Sequence, residues 1–190
     1  MSGFSNTTQS TSSGFPPASQ GFLAWTFDPA IAYTTAQTFT PTVGVAYYEA
    51  IYLTAGTTIS NITTYLSSAG AGVANSWVGL YSATAQLGQS AVISTAWQSA
   101  GSVSVALSSP VVIPSTGVYY VAILVGTSTT TSPIFRVVGS SSGYTNQNLT
   151  ATAGSLTLRS QTLGSSLAAL PSSISGTPTG IANLFFVALS

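Results

Sequence analysis

The sequence has almost no charge and lacks three residue types on which protein chemistry often depends. Its 190 residues include no cysteine, no histidine and no lysine, and only two acidic and two basic residues. The missing Cys and His exclude thiolate and imidazole sites for zinc, haem or iron–sulfur clusters, and also Ser-His-Asp catalysis. Two Arg cannot form a basic surface for phosphates, so we expect no nucleic-acid binding. We also expect no cofactor.

Long hydrophobic runs are missing as well. Residues 1–20 have neither the basic start nor the apolar centre of a secretory signal. The longest apolar run, residues 118–125, has the length of a β-strand, so we expect no membrane span. The lack of Cys fits a protein that is made in a cytoplasm and needs no disulfide framework.

The amino-acid composition predicts one folded domain that is part of an assembly. The chain contains 32 Ser and 28 Thr, yet 45% of it is hydrophobic and 11% aromatic, which is not a disordered composition. A net charge of zero favours association. We therefore expect a symmetric homo-oligomer, with a trimer favoured.

The composition divides the chain into an arm and a domain. Residues 1–20, rich in Ser, Thr and Gly, are predicted to form an extended N-terminal arm that cannot order itself. Its candidate partner-binding residues are Phe4, Phe15, Pro16 and Pro17, because isolated aromatics in a polar arm can dock into partner pockets. Residues 21–190 are predicted to be a single domain. Within it, residues 139–180 form a long excursion that is either a contact surface or a cover for the core.

Alternating apolar residues and closely spaced turn signals predict strands throughout the domain. Residues 118–125 are apolar on both faces, as in a central strand of a covered sheet. On residues 58–67 the pattern places Ile59 with Asn61 and Tyr65 on one face. A short helical turn is expected around Trp97. The predicted fold is an all-β, antiparallel, jelly-roll-like β-sandwich. The predicted strands are 22–28, 47–54, 58–67, 76–82, 88–93, 102–107, 117–125, 133–138, 155–159 and 181–189.

Little in the sequence indicates catalysis. The only carboxylates are Asp28 and Glu49, on different predicted strands and outside any motif. Two carboxylates suffice for a glycosidase, but we expect no enzyme and instead an ion pair with Arg136 or Arg159.

Tyrosines could still bind a carbohydrate by stacking. The candidates can equally be ordinary strand residues, and the sequence leaves the two interpretations open. They are Tyr33, Tyr47, Tyr48, Tyr52, Tyr65 and Tyr144.

Several motifs resemble a β-sandwich module of actinobacterial phage virion proteins. They are VGLYS at 78–82, TAWQSAG at 95–101, GVYYVAILV at 117–125 and LFFVAL at 184–189. The resemblance covers roughly residues 50–140 and the closing strand. Such modules occur in capsid decoration proteins, head fibres and minor tail proteins.

The resemblance implies a non-enzymatic structural protein on the virion surface, made in the host cytoplasm and bound to phage capsid or tail proteins. We favour a capsid decoration or head-fibre (cement) protein, because no coiled coil, collagen-like repeat or second attachment domain is evident. The alternatives are a minor tail or receptor-binding protein, and a lectin-like carbohydrate-binding module that takes a host surface glycan.

Overall fold

The computed structural model describes residues 15–28, 37–139 and 159–190, and within them the chain is an antiparallel β-sandwich. The predicted all-β sandwich is confirmed, while the jelly-roll comparison remains a prediction. Among the described residues, the 3-10 turns Pro17–Gln20 and Ala96–Gln98 accompany the strands. The strands are β1 Ala24–Trp25, β2 Thr38–Phe39, β3 Ala46–Leu53, β4 Thr58–Ser68, β5 Trp77–Tyr81, β6 Gln86–Gln89, β7 Gly101–Val112, β8 Gly117–Leu124, β9 Ile134–Gly139, β10 Ser160–Leu163, β11 Thr179–Gly180, β12 Asn183–Phe185 and β13 Val187–Leu189.

The described strands form two sheets. The first sheet has the order β1-β13-β4-β9-β12, with β2 paired to β9 and β7 paired to β4. The second sheet has the order β11-β10-β3-β8-β5-β6. Strand β3 pairs with β8 over its whole length, from Ala46 opposite Leu124 to Leu53 opposite Gly117. Both termini of the sandwich therefore meet in the first sheet, while the longest apolar strands lie at the centre of the second.

The main core lies between the two sheets and is rich in aromatic rings. Phe135 and Phe185 lie at its centre, with ring centroids 5.6 Å apart in an edge-to-face arrangement. Trp97 projects from the 3-10 turn Ala96–Gln98 into this core and contacts Phe135 edge-to-face at 5.2 Å. The predicted helical turn around Trp97 is confirmed, and its role is to place a fully buried indole between the sheets.

Strand β8 is apolar on both faces, as its sequence predicts. Tyr119, Val121 and Ile123 face the main core, whereas Ala122 and Leu124 belong to a second cluster on the outer face of the second sheet. That outer cluster is covered by a strap, residues 163–174, through Leu163, Leu167, Leu170 and Ile174. The described part of the predicted excursion thus acts as a cover. Residues 140–158 of the excursion lie outside the described residues.

Two predicted features differ in the structure because of contacts with the C-terminal residues. Ile59 and Ile62 are both buried, although strict alternation places them on opposite faces, because the pairing of β4 shifts between Ile59 and Asn61. The carbonyl oxygen of Ser190 accepts hydrogen bonds from the N–H groups of both Ser60 and Asn61, each at 2.7 Å, which fixes this bulge.

The predicted strand 22–28 is also wrong in length, since only Ala24–Trp25 is a strand. The hydroxyl of Thr26 donates to the carbonyl of Phe185 at 2.8 Å and accepts from the N–H of Val187 at 3.1 Å. The hydroxyl of Thr26 thus takes the place of its backbone carbonyl as the acceptor for Val187, and the chain leaves the sheet after Trp25. Residues 155–158 of the predicted strand 155–159 lie outside the described residues, and a strand follows directly at Ser160–Leu163.

Candidate functional site

The first described segment, residues 15–28, forms a compact element that we call the N-terminal hook. It opens with the 3-10 turn Pro17–Gln20, which Pro17 favours because its ring fixes φ near the helical value. Gly21 ends the turn in the left-handed conformation, at φ +79°, and its N–H donates to the carbonyl of Ala18. Residues 17–20 of the predicted arm are therefore folded as a turn, whereas Pro16 before them is extended.

The hook is fastened to the last strand of the chain. The N–H of Leu23 donates to the carbonyl of Leu189 at 2.8 Å, and that of Thr26 donates to the carbonyl of Val187 at 2.9 Å. The rings of Phe27 and Phe186 meet edge-to-face at 5.5 Å. The hook thus offers a rigid base for whatever its first residues contact.

The start of the hook presents two of the predicted partner-binding residues, Phe15 and Pro16, to solvent. The side chain of Phe15 is 67% exposed, and its backbone N–H donates to Oδ2 of Asp28 at 2.9 Å. Pro16 is exposed beside it and Pro17 is half-buried. Phe4 lies outside the described residues. Leu23, 53% exposed on the same hook, was missed by the sequence analysis, which assigned it to a regular strand.

Four of the tyrosines proposed for carbohydrate stacking lie in the described residues, and these four are not grouped on one surface. Tyr47 and Tyr48 are buried, whereas Tyr52 and Tyr65 are 65% and 39% exposed. Tyr52 lies on β3 of the second sheet and Tyr65 on β4 of the first, so they face different sides of the sandwich. Tyr33 and Tyr144 lie outside the described residues. The four described candidates therefore form no shared stacking platform.

Glu49 is the most unusual polar residue of the described chain. It lies on β3 and is fully buried between the sheets. Its Oε1 lies 2.8 Å from the hydroxyl of Ser160, while its Oε2 has no hydrogen-bond partner. The expected ion pair with Arg136 or Arg159 is not formed by Glu49 within the described residues, because Arg159 is exposed and acts on it only through its charge.

Burial raises the pKa of the Glu49 carboxyl well above its ordinary value of 4.5. The hydrogen bond from Ser160, the backbone of Phe185 and the charge of Arg159 lower that pKa, but burial has the larger effect. The residue has no access to solvent, so the geometry gives it no route to a soluble substrate. Within the described residues no group of three or more His, Cys, Asp or Glu side chains is placed to hold a metal ion.

A shallow groove of about 320 Å³ lies between β6 and β7. It is lined by uncharged residues, among them Gln86, Gln89, Ser108 and Pro110. Amide and hydroxyl groups of this kind can hydrogen-bond to a ligand, but the lining holds no group that could act as an acid, a base or an activated nucleophile at neutral pH.

Comparison with known proteins gives no relative from which a role could be transferred. No protein-family model, curated protein or solved structure matches the chain. None of the helices in the described residues is long and apolar enough to cross a membrane.

Proposed function

We propose that this chain is a non-enzymatic structural protein on the surface of a phage particle, where it acts as a capsid decoration or head-fibre cement protein. The main support is the N-terminal hook, which is clamped to β13 and holds the 67% exposed ring of Phe15 at its outer end. An exposed aromatic on a rigid base loses little conformational entropy when it docks, which is typical of an interface anchor.

The surface chemistry supports the same proposal. The chain has two acidic and two basic residues in 190, so its exposed polar surface consists mainly of Ser, Thr, Asn and Gln. Such a surface provides no strong field to steer a soluble partner, but it can form many modest contacts with neighbouring subunits. A protein that binds the assembled shell but not its separate subunits shifts the equilibrium toward the shell, and so stabilises it.

The anchor is tested by removing a single ring. Phe15→Ala should leave the unfolding free energy within about 0.5 kcal/mol of wild type, because most of the side chain is already in water. Truncation of an interface anchor costs about 2 kcal/mol or more, so we expect roughly 30-fold weaker binding to particles that lack the protein. Tyr52→Ala is the matched control, since Tyr52 is an aromatic of nearly equal exposure, 65%, on β3 of the second sheet. The measurement is occupancy against protein concentration on purified particles.

A deletion extends the test to the rest of the arm. Removing residues 1–14 retains the 3-10 turn and the bond from the N–H of Phe22 to the carbonyl of Pro17, so the sandwich should stay folded. We expect this variant to bind particles more weakly than wild type. Wild-type occupancy by both Phe15→Ala and the deletion variant would refute attachment through the arm.

A further inference from the structure

Among the described residues, the long strand β7 has one edge without a pairing partner. Along one side, residues 101–106 pair with β4, from Gly101 opposite Leu66 to Ala106 opposite Asn61. Beyond Ala106 the other side is occupied, because Leu107 bridges to Ser90 and the Val111 side chain lies against Gly88 of β6. No described residue pairs with the second side of residues 101–106.

This edge differs from the other sheet edges of the described chain. The edge strands β1 and β11 have two residues each, β12 has three and β6 has four, whereas β7 has twelve. Proteins usually protect a long edge with charged side chains, proline or a covering segment. Residues 101–106 contain neither a charge nor a proline, and Pro110 lies in the other half of the strand, beside the groove next to β6.

The sequence of the open edge is complementary to itself. Val103 and Val105 are half-buried against the main core, whereas Ser102, Ser104 and Ala106 are exposed. If two such segments run antiparallel about Ser104, Val103 lies opposite Val105 and Ser104 lies opposite Ser104. Apolar residues then meet on the core side, small polar residues meet on the water side, and no like charges oppose each other.

We propose that residues 101–106 pair with the same segment of a second copy of this chain, which joins the first sheets of two sandwiches across a two-fold axis. Alternate backbone N–H and C=O groups of the edge would then exchange hydrogen bonds between copies. The contact is small, so we expect a weak dimer in dilute solution that forms readily at high local concentration. The pairing gives a dimer, in contrast to the trimer favoured by the sequence analysis.

The absence of cysteine from the chain allows a direct test of this register. Opposed residues in antiparallel strands have Cα atoms about 4.5–5.5 Å apart, within the range that a disulfide spans. Ser104→Cys, oxidised at high protein concentration, should give a covalent dimer. Ser109→Cys is the matched control, because Ser109 is an exposed serine of the same strand in the half next to β6, and it should remain mostly monomeric.

A second variant tests the pairing without oxidation. Ser104→Lys places a charge next to its symmetry mate and should abolish the concentration-dependent dimer that sedimentation detects in wild type. Equal cross-linking of Ser104→Cys and Ser109→Cys would overturn the proposal, as would a wild-type chain that stays monomeric at all concentrations. Cross-linking of Ser104→Cys to a different particle protein would also overturn it. The disulfide and sedimentation measurements use the isolated protein, and only the cross-linking to another particle protein needs particles. The outcome of the first two therefore does not depend on whether the hook attaches the protein to particles.

Discussion

Replacement of the buried carboxyl of Glu49 should change how the stability of the protein depends on pH. The pKa of Glu49 is raised in the folded state, so the folded chain holds a proton that the unfolded chain releases near pH 4.5. The stabilisation from this proton is fully present below the unfolded pKa and is lost as the pH rises through the folded pKa. Within that window the free energy of unfolding should fall by about 1.4 kcal/mol per pH unit.

Burial favours the protonated form of Glu49, and the shared hydroxyl of Ser160 limits how far hydrogen bonding can offset it. The hydroxyl of Ser160 lies 2.8 Å from Oε1 of Glu49 and 2.6 Å from the carbonyl oxygen of Asn183, but it has one proton to donate. When Glu49 is ionised, both neighbours of this hydroxyl are acceptors and only one is satisfied. A proton on Glu49 supplies the missing donor, so the hydrogen bond from Ser160 offsets only part of the effect of burial on the pKa.

The assay is chemical denaturation of wild type and Glu49→Gln between pH 5 and pH 8. The unfolding free energy and the melting temperature of wild type should both fall as the pH rises through the part of this range that lies below the folded pKa. The neutral amide of Glu49→Gln should give a much flatter profile and higher stability at the alkaline end. The chain contains no His, Cys or Lys, so few other groups titrate in this range.

Asp28→Asn provides the control, because it removes the other carboxylate of the chain and keeps Glu49. It should retain the wild-type slope. A wild-type stability that is constant or rises between pH 5 and pH 8 would refute the reasoning, and so would an equal slope in Glu49→Gln.

Two further predictions concern the packing of the sandwich, and both are measured by denaturant unfolding. Gly126→Ala should destabilise the protein by about 3 kcal/mol, because the new Cβ would overlap the backbone carbonyl oxygens of Ala74 and Asn75. Gly117→Ala, where a Cβ meets no atom within 4 Å, should cost less than about 1 kcal/mol, and equal costs would contradict this account. Trp97→Ala should cost about 3–5 kcal/mol through the cavity between the sheets. Trp97→Phe should cost under about 2 kcal/mol, since the indole N–H has no hydrogen-bond partner to lose; a cost as large as that of the alanine variant would contradict this.

Local sequence patterns predicted the centre of the sandwich well. In the run GVYYVAILV both alternating sets of residues are apolar, which predicts a strand that is covered on both faces. The structure confirms this, because β8 is buried between the main core and the strap. The turn around Trp97 was also found from its neighbours in the sequence. These features depend on residues that are close together in the chain, so the local sequence pattern is enough to predict them.

The features that sequence analysis missed depend on residues far apart in the chain. The bulge at Ile59 requires the carbonyl of Ser190, and the short β1 requires the backbone of Phe185 and Val187. Glu49 was expected to form an ion pair, but its neighbours Ser160 and Phe185 follow it by more than a hundred residues. No local periodicity encodes such contacts, so the environment of a side chain became visible only in the folded structure.

Heat-induced release of DNA from particles tests the proposed cement function most directly. Particles that carry wild-type protein should release DNA at a higher temperature than particles that lack it, and Phe15→Ala should give little of that protection. Adsorption to host cells should be the same for all three. An adsorption defect together with normal heat stability would contradict the cement function and would favour a receptor-binding protein instead.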